Sequence, residues 1–274
     1  MYPASIDSTV ERPKASGIVT LTTDFGTSDH YAGVLRGVIL SRCPTATVVD
    51  LTHGVKPGAI EQGAFFLAQG YSAYPPGTVH AAVVDPGVGS DRRCLIAISN
   101  GHYFVGPDNG VLSHVLTNPG DIVIAADIEA VLPAPASRTF HGRDLFAPLA
   151  ARIVTGDDFS WWGIPIQDMV RLPSLEAKER LPGEWRGRVL NIDQFGNIVT
   201  NLPEGLITGE FSLQVGTATV NRLAATYAEA ADGELFAIAG SAGFLEVSVR
   251  GRSASVVAQA SLGGRVDLRA DPLS

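Results

Sequence analysis

The sequence predicts an α/β N-terminal domain with a largely parallel sheet, followed by a smaller all-β domain of barrel type. Three observations carry this expectation. From Gly17 to about residue 170, short β-rich runs that end in turn residues alternate with stretches of helical spacing. Those runs are continuously apolar rather than alternating, as in a sheet covered on both faces. From residue 185 onward only short β-type segments remain, separated by Gly, Asn and Asp. The chain therefore divides into a flexible tail (1–16), an α/β domain (17–172), a linker (173–184) and a β-barrel domain (185–274).

The tail, MYPASIDSTVERPKAS, is polar and mixed in charge and lacks the apolar core of a signal peptide. GIVTLTTDF (17–25) reads as a buried strand. DHYAGVLRGVILSRC (29–43) then places Tyr31, Val34, Leu35, Val38 and Ile39 at helical spacing. ATVVDLT (46–52) is a second strand and AIEQGAFFLAQGY (59–71) a second helix. TVHAAVVD (78–85) is a third strand, with CLIAIS and HYFVGP a pair beyond it. DIVIAAD (121–127) is another strand, and DLFAPLAARIVTG (144–156) a helix closed by glycine. SLEAKERLPGEW is charged and carries Pro182-Gly183, as a linker does. RGRVLNID, NIVTNL, FSLQVGTATV, LFAIAG, FLEVSVR and SVVAQA follow as β-type segments.

The totals exclude several classes. A formal charge of −8 argues against a nucleic-acid binder, which would show a basic face. No apolar stretch reaches the ~18 residues of a membrane span. Cys43 and Cys94 lack metal-ligand spacing and are too few for a disulfide framework, which fits a reducing, cytoplasmic setting. The six histidines show no zinc grouping, so no metal site is expected.

Chemistry gathers in four clusters. In open α/β sheets ligands collect at the carboxyl ends of strands. Acids stand at three such ends: Asp24 and Asp29 in TTDFGTSD, Asp50 in VVDLTH, and Asp85 in VVDPGVGSDRR. Any one of them is ordinary turn or cap chemistry; several together line a polar cleft. TFHGRD (139–144) sets His141 just before a helix, with Arg143 and Asp144 close enough for simple local pairing. DQFGNIVTN (193–201) reads first as a hairpin turn bent at Gly196-Asn197, and GSAGFLEVSV (240–249) as a glycine-rich strand entry. DFG and HGRD only echo kinase signatures, in the wrong order, and VVDPGVGS lacks the Gly-Lys-Ser/Thr of a phosphate loop.

In order along the chain, TTDFGTSD, VVDPGVGSDRR, FVGPDNG, TFHGRD, DQFGNIVTN and SAGFLEV resemble the S-adenosylmethionine hydroxide adenosyltransferase family, relatives of the SAM-dependent fluorinases and chlorinases. The resemblance runs from about Gly17 to about Ala260. It implies hydrolysis of S-adenosyl-L-methionine (SAM) to adenosine and L-methionine by water attack at C5′. It also implies a homotrimer whose active sites lie between subunits. Carried over motif by motif, it assigns catalysis to Asp85, Arg92 and His141. It assigns the ribose hydroxyls to Asp24 and the methionine end to Asp29, Asp193 and Ser241. Phe195 packs on adenine, Asn197 bonds its edge, and Val249 with Glu246 completes that pocket. The halogenases carry a tyrosine at the place of Asp85 and Tyr-Ser at that of His141-Gly142, so this sequence sits with the hydrolases. Tyr31 stands where the halogenases have a serine, and Gly58 where they have a bulky aromatic.

The chemistry is consistent with those residue types. A sulfonium leaves as a neutral thioether, so the leaving group needs no acid. Water must lose a proton, and both His141 and Asp85 are bases suited to that; the residues leave open which of them acts. Arg92 stays protonated and can only donate, to Asp85 or to developing hydroxide. Two alternatives remain: a halide-using adenosyltransferase, against which Asp85 and His141 argue, and an adenosine- or SAM-binding protein without turnover.

Overall fold

A computed structural model of the chain describes residues 12–132, 137–159 and 161–271. They form two compact units, one ending at Leu172 and the other starting at Pro173.

The first unit contains, in order, β1 (Ile18–Thr23), α1 (Tyr31–Arg42), β2 (Thr47–Thr52), α2 (Ile60–Gly70), β3 (Val79–Val83), β4 (Cys94–Ser99), β5 (His102–Pro107), β6 (Ile122–Ala126), α3 (Ile128–Val131), α4 (Ala147–Val154) and β7 (Gly163–Pro165). The seven strands make one sheet in the order β2-β1-β3-β5-β4-β6-β7. Alternate residues face opposite ways along a strand, and both faces are buried. Val19, Leu21, Ala81 and Val83 pack with Leu35 of α1 and Leu149 of α4. Ala82, Val84 and Phe104 pack with Leu67 of α2 on the other side. This two-sided burial is why the strands read as unbroken apolar runs.

The expectation of a largely parallel sheet needs correcting. β1 is parallel to β2 and β3, and β3 to β5, but β4 runs antiparallel to β5 and β6, and β6 to β7. The sheet is mixed, and the cause is local. Ser99 pairs with His102 across two residues, Asn100 and Gly101, with φ of 50° and 77°. Positive φ at both positions makes a tight turn that matches strand twist and reverses the chain at once.

The N-terminal segment is also less loose than expected. Residues 1–11 lie outside the described residues. Over 12–16 the chain is anchored: the Ser16 N–H donates to the Gly77 carbonyl at 3.0 Å, and the Tyr103 hydroxyl to the Pro13 carbonyl. Arg12 pairs with Asp158 and lies 5.1 Å over the Phe159 ring.

The second unit contains β8 (Lys178–Leu181), β9 (Glu184–Ile192), β10 (Ile198–Pro203), β11 (Phe211–Val215), β12 (Ala218–Val220), β13 (Leu223–Ala224), β14 (Leu235–Ala239), β15 (Phe244–Val249), α5 (Ala254–Val257) and β16 (Arg265–Ala270). Eight strands follow the path β12-β11-β16-β9-β10-β15-β14-β13, and β8 adds to β9. The expected barrel takes the form of a curled, half-barrel sheet around Val189, Leu213, Val247 and Leu268. Three details depart from the sequence reading. The stretch 173–184, which reads as linker, contains β8. SVVAQA (255–260), which reads as β-type, begins in α5, because the Ser253 hydroxyl caps it by accepting the Val256 N–H at 3.3 Å. RVDLRA, absent from the predicted strands, is β16, between β11 and β9.

Candidate active site

β1, β3 and β5 are parallel, so their carboxyl ends share one edge of the sheet. β4 runs the other way, and its entry therefore falls at the same edge. This reversal brings Arg92, just before β4, to Asp85, just after β3. Between them the 86–91 loop is held by its own bonds: Val88 N–H donates to the Asp85 carbonyl at 3.2 Å, and Ser90 N–H to that of Gly87 at 3.1 Å. The exit of β3 is braced from β5, where Asn109 Nδ2 donates to the Val84 carbonyl at 2.8 Å.

Arg92 Nε donates to both Asp85 oxygens, at 2.7 and 2.8 Å, and Nη2 donates to Asp85 Oδ2 as well. The side chains are 9% and 5% exposed, so this pair lies out of water, where an unmatched charge would be costly. The same Arg92 Nη2 lies 2.9 Å from His141 Nδ1. Phe146 closes the site below, its ring 5.4 Å from the guanidinium carbon. His141 reaches this place from a distant segment, at the start of a π-helical turn (Gly142–Phe146) that leads into α4. Asp85, Arg92 and His141 therefore meet at one point.

Arg92 has only protons to offer, so Nδ1 of His141 is an acceptor and the ring proton sits on Nε2. Burial, and then the charge of Arg92, push the His141 pKa below the ordinary histidine value; Asp85 and Asp144 oppose this less strongly. His141 is thus held neutral at pH 7.

Asp85 and His141 line a cleft of about 470 Å³, together with Asp24, Phe25, Tyr31 and Phe140 among others, and Arg92 stands behind them. Asp24 leaves β1 at the same sheet edge, and its Oδ2 accepts the Gly58 N–H at 2.8 Å. Phe25, Tyr31 and Phe140 form an aromatic wall with centroids 5.2–6.0 Å apart. Asp29 is exposed and does not line the cleft. Arg93, beside the triad arginine in sequence, is structural: it pairs with buried Asp108 and with Asp168. Arg143 and Asp144 pair with each other, as local chemistry allows.

The second unit has its own pocket, of about 550 Å³, lined by Asp193, Phe195, Asn197, Tyr227 and Val249 among others. Residues 193–197 are the β9–β10 hairpin loop, in agreement with the turn expected there. Asp193 holds it together: Oδ1 accepts the N–H groups of Phe195 at 2.9 Å and Asn197 at 2.8 Å, and Oδ2 accepts Asn197 Nδ2 at 2.9 Å. Gly196 is required, since its φ is +87° and an added Cβ would lie 2.1 Å from Ser253 Oγ. The loop leaves Phe195 70% exposed. Glu246 is buried on β15 and accepts the Tyr227 hydroxyl at 3.2 Å. Burial, with Asp193 nearby, pushes its pKa up. Ser241 is exposed in the turn before β15 and does not line the pocket.

Tyr227 escapes the sequence reading. TYAEA shows no periodicity, and only the contact with Glu246 marks it. The aromatic wall is equally unsignalled, because Phe25, Tyr31 and Phe140 come from three separate segments. Among the described residues, no group of three or more His, Cys, Asp or Glu is placed to hold a metal ion. Nor is any helix among them long and apolar enough to cross a membrane.

Comparison with known proteins bears on both units. Residues 19–163 match the family described as the SAM hydroxide adenosyltransferase N-terminal domain, and residues 187–267 the corresponding C-terminal domain. A protein of Salinispora arenicola named (R)-S-adenosyl-L-methionine hydrolase is 37% identical over 248 residues, covering 88% of this chain and 93% of that relative. One of the same name from Thermus thermophilus is 38% identical, covering 86% and 93%. A fluorinase of an Actinoplanes species is 27% identical over 68% of this chain and 71% of its own. Among solved structures, an uncharacterized conserved protein from Thermotoga maritima superposes with a TM-score of 0.83 at 31% identity, covering 92% of this chain and 99% of that one.

Proposed function

The chain belongs to the SAM hydroxide adenosyltransferase family, and from that premise we propose that it is a hydrolase that splits S-adenosyl-L-methionine into adenosine and L-methionine. The hydrolase relatives carry the (R) sulfonium epimer in their names, and the same epimer is the substrate proposed here. The observation that carries the reading is the convergence of Asp85, Arg92 and His141 at the edge of the cleft.

The geometry supports a division of labour. Water in the cleft is held by the Nε2–H of His141, which donates, so His141 orients rather than abstracts. Asp85 is then the group left to take the proton as the C5′–O bond forms and the C5′–S bond breaks; the electron pair departs on the neutral thioether sulfur. Arg92 keeps the Asp85 carboxylate aimed, and its charge favours developing hydroxide. Asp24 anchors the ribose hydroxyls, in bound substrate and transition state alike. Phe195 serves as the adenine platform and Asn197 bonds the base edge, with Val249, Glu246 and Tyr227 around them. Asp193 acts by shaping that loop. Asp29 and Ser241, exposed in their own units, are proposed for the methionine end. The reaction draws on no cofactor, and a cytoplasmic setting fits the two buried free thiols, Cys43 and Cys94. Self-association as a homotrimer belongs to this proposal, with one protomer supplying the triad and its neighbour the adenine platform.

Incubation with each SAM epimer, with and without chloride, tests the reading by chromatography. Adenosine and methionine in equal amounts, independent of halide, are expected. A halide-dependent 5′-halogenated product would favour the adenosyltransferase alternative, and binding without any product the non-catalytic one.

A further inference from the structure

A second polar chain lies behind Asp24 and is not part of the triad. Asp50 lies two residues before the end of β2, opposite Leu21 of β1, and His53 follows β2 in the loop to α2. His53 is only 4% exposed. Its Nε2 stands 3.0 Å from Asp50 Oδ1, and its Nδ1 lies 2.7 Å from Thr23 Oγ1. Thr23 Oγ1 also accepts the Phe25 N–H at 3.2 Å. The Gly26 N–H donates to the His53 carbonyl at 2.8 Å. At the outer end, Arg36 of α1 donates from Nε to Asp50 Oδ1 at 2.9 Å. Burial favours the neutral acid at Asp50, but the Arg36 bonds and the nearby His53 outweigh it and hold its pKa low, so it is an acceptor only.

His53 Nε2 faces the Asp50 carboxylate at ion-pair distance, although its N–H is not aimed for a hydrogen bond. Nδ1 and the Thr23 hydroxyl share one proton across 2.7 Å, and Thr23 Oγ1 keeps a lone pair for the Phe25 N–H. The residues fixed at the inner end, Thr23, Phe25 and Gly26, flank Asp24 on both sides. An ordinary buried histidine would bond anywhere; this one bonds, through Nδ1 and its own carbonyl, to the segment that presents a cleft carboxylate.

We propose that Asp50, His53 and Thr23 form a positioning relay that sets the Asp24 carboxylate for the ribose hydroxyls. The proposal rests on the hydrolase reading for the identity of the ligand, but not for the relay itself. His53 and Thr23 are positioning residues, since neither lines the cleft. Holding the ribose is needed in the bound substrate and in the transition state alike, so the relay acts on binding and leaves the rate at saturation nearly untouched.

The test uses the full chain and two ligands: SAM for turnover and adenosine for calorimetry. Thr23→Val keeps the shape and removes the hydroxyl; Thr23→Ser restores it; His53→Gln keeps a donor while losing the ring. Thr23→Val should raise KM for SAM and Kd for adenosine by about five- to tenfold with kcat within about twofold. Thr23→Ser should recover wild-type values, and in an Asp24→Asn background Thr23→Val should add nothing. A folded Thr23→Val protein with unchanged adenosine Kd would overturn the relay. So would the same loss in the Asp24→Asn background. If wild-type protein binds adenosine but releases none from SAM, while Thr23→Val still weakens binding, the hydrolase reading fails and the relay stands.

Discussion

The cleft of the first unit and the pocket of the second both hold carboxylates, and they treat them in opposite ways. Asp85 is matched by a guanidinium that in turn touches a titratable ring. Asp193 is satisfied by two backbone N–H groups and one side-chain amide of its own loop. In the first case the carboxylate's partners carry charge and can respond to chemistry. In the second they are fixed dipoles, and the carboxylate builds a shape that leaves one aromatic ring in solvent. Under the proposed function, the same residue type thus belongs to a reactive group in one unit and to a binding platform in the other. What distinguishes them is the partner, not the acid.

Four experiments test that contrast, in order of expected effect. Asp85→Asn should lower kcat by about 10³-fold, in the range of lost acid–base groups, and leave adenosine Kd within about threefold. Single-turnover kinetics beside calorimetry checks this; a parallel loss of binding would erase the distinction between the units. Gly196→Ala forces an unfavourable φ and a clash with Ser253, at a cost of ~1–3 kcal/mol. A lowered Tm and weaker adenosine binding are expected, with kcat at saturating SAM intact. Phe195→Ala should weaken adenosine about tenfold, the scale of one lost base–aromatic stack, with no change in Tm because the ring is exposed. An unchanged Kd would deny the loop its platform role.

The smallest effect concerns pH. Burial and Arg92 lower the His141 pKa in the folded chain, while the unfolded chain takes up that proton near the ordinary value of about 6.5. Stability from this group is therefore full above that value and declines as pH falls from there through the lowered folded pKa. Under the proposed function activity follows the same group, since only neutral His141 can accept from Arg92. The acid limb of kcat/KM that this ring sets should lie below pH 6.5, and His141→Gln should remove that limb. A limb at or above that pH would place a different group in control.

Much of the site is legible in the amino-acid sequence itself. The acids at strand ends, His141 ahead of a helix, and the hairpin bend at Gly196-Asn197 are local signals, and local signals survive in sequence. The direction of β4 is harder to read: Asn100-Gly101 contains the cue, but the apolar runs on either side of it show that they pair without showing in which sense. SVVAQA looks like a strand from its valines, and a serine cap two residues earlier decides for helix. RVDLRA is easily missed because half of it is polar, yet that alternation is the mark of a strand with one buried face. Asp29 and Ser241 cannot be ranked from sequence, since exposure is a tertiary property. Tyr227 and the aromatic wall depend on contacts between distant segments and leave no trace in any one of them.

The reversal at Asn100-Gly101 has a consequence for assembly. Because β4 returns along the edge where β3 ends, the acid and its arginine are only seven residues apart in the chain, whereas His141 joins from forty-nine residues beyond Arg92. Closing so short a loop costs little chain entropy, and the cost rises only slowly with length. The ion pair thus spans a short loop across β5, which lies between β3 and β4, and the histidine joins it from a distant segment. Loosening α4 would therefore disarm the triad by releasing its ring first, while the charged pair stayed closed.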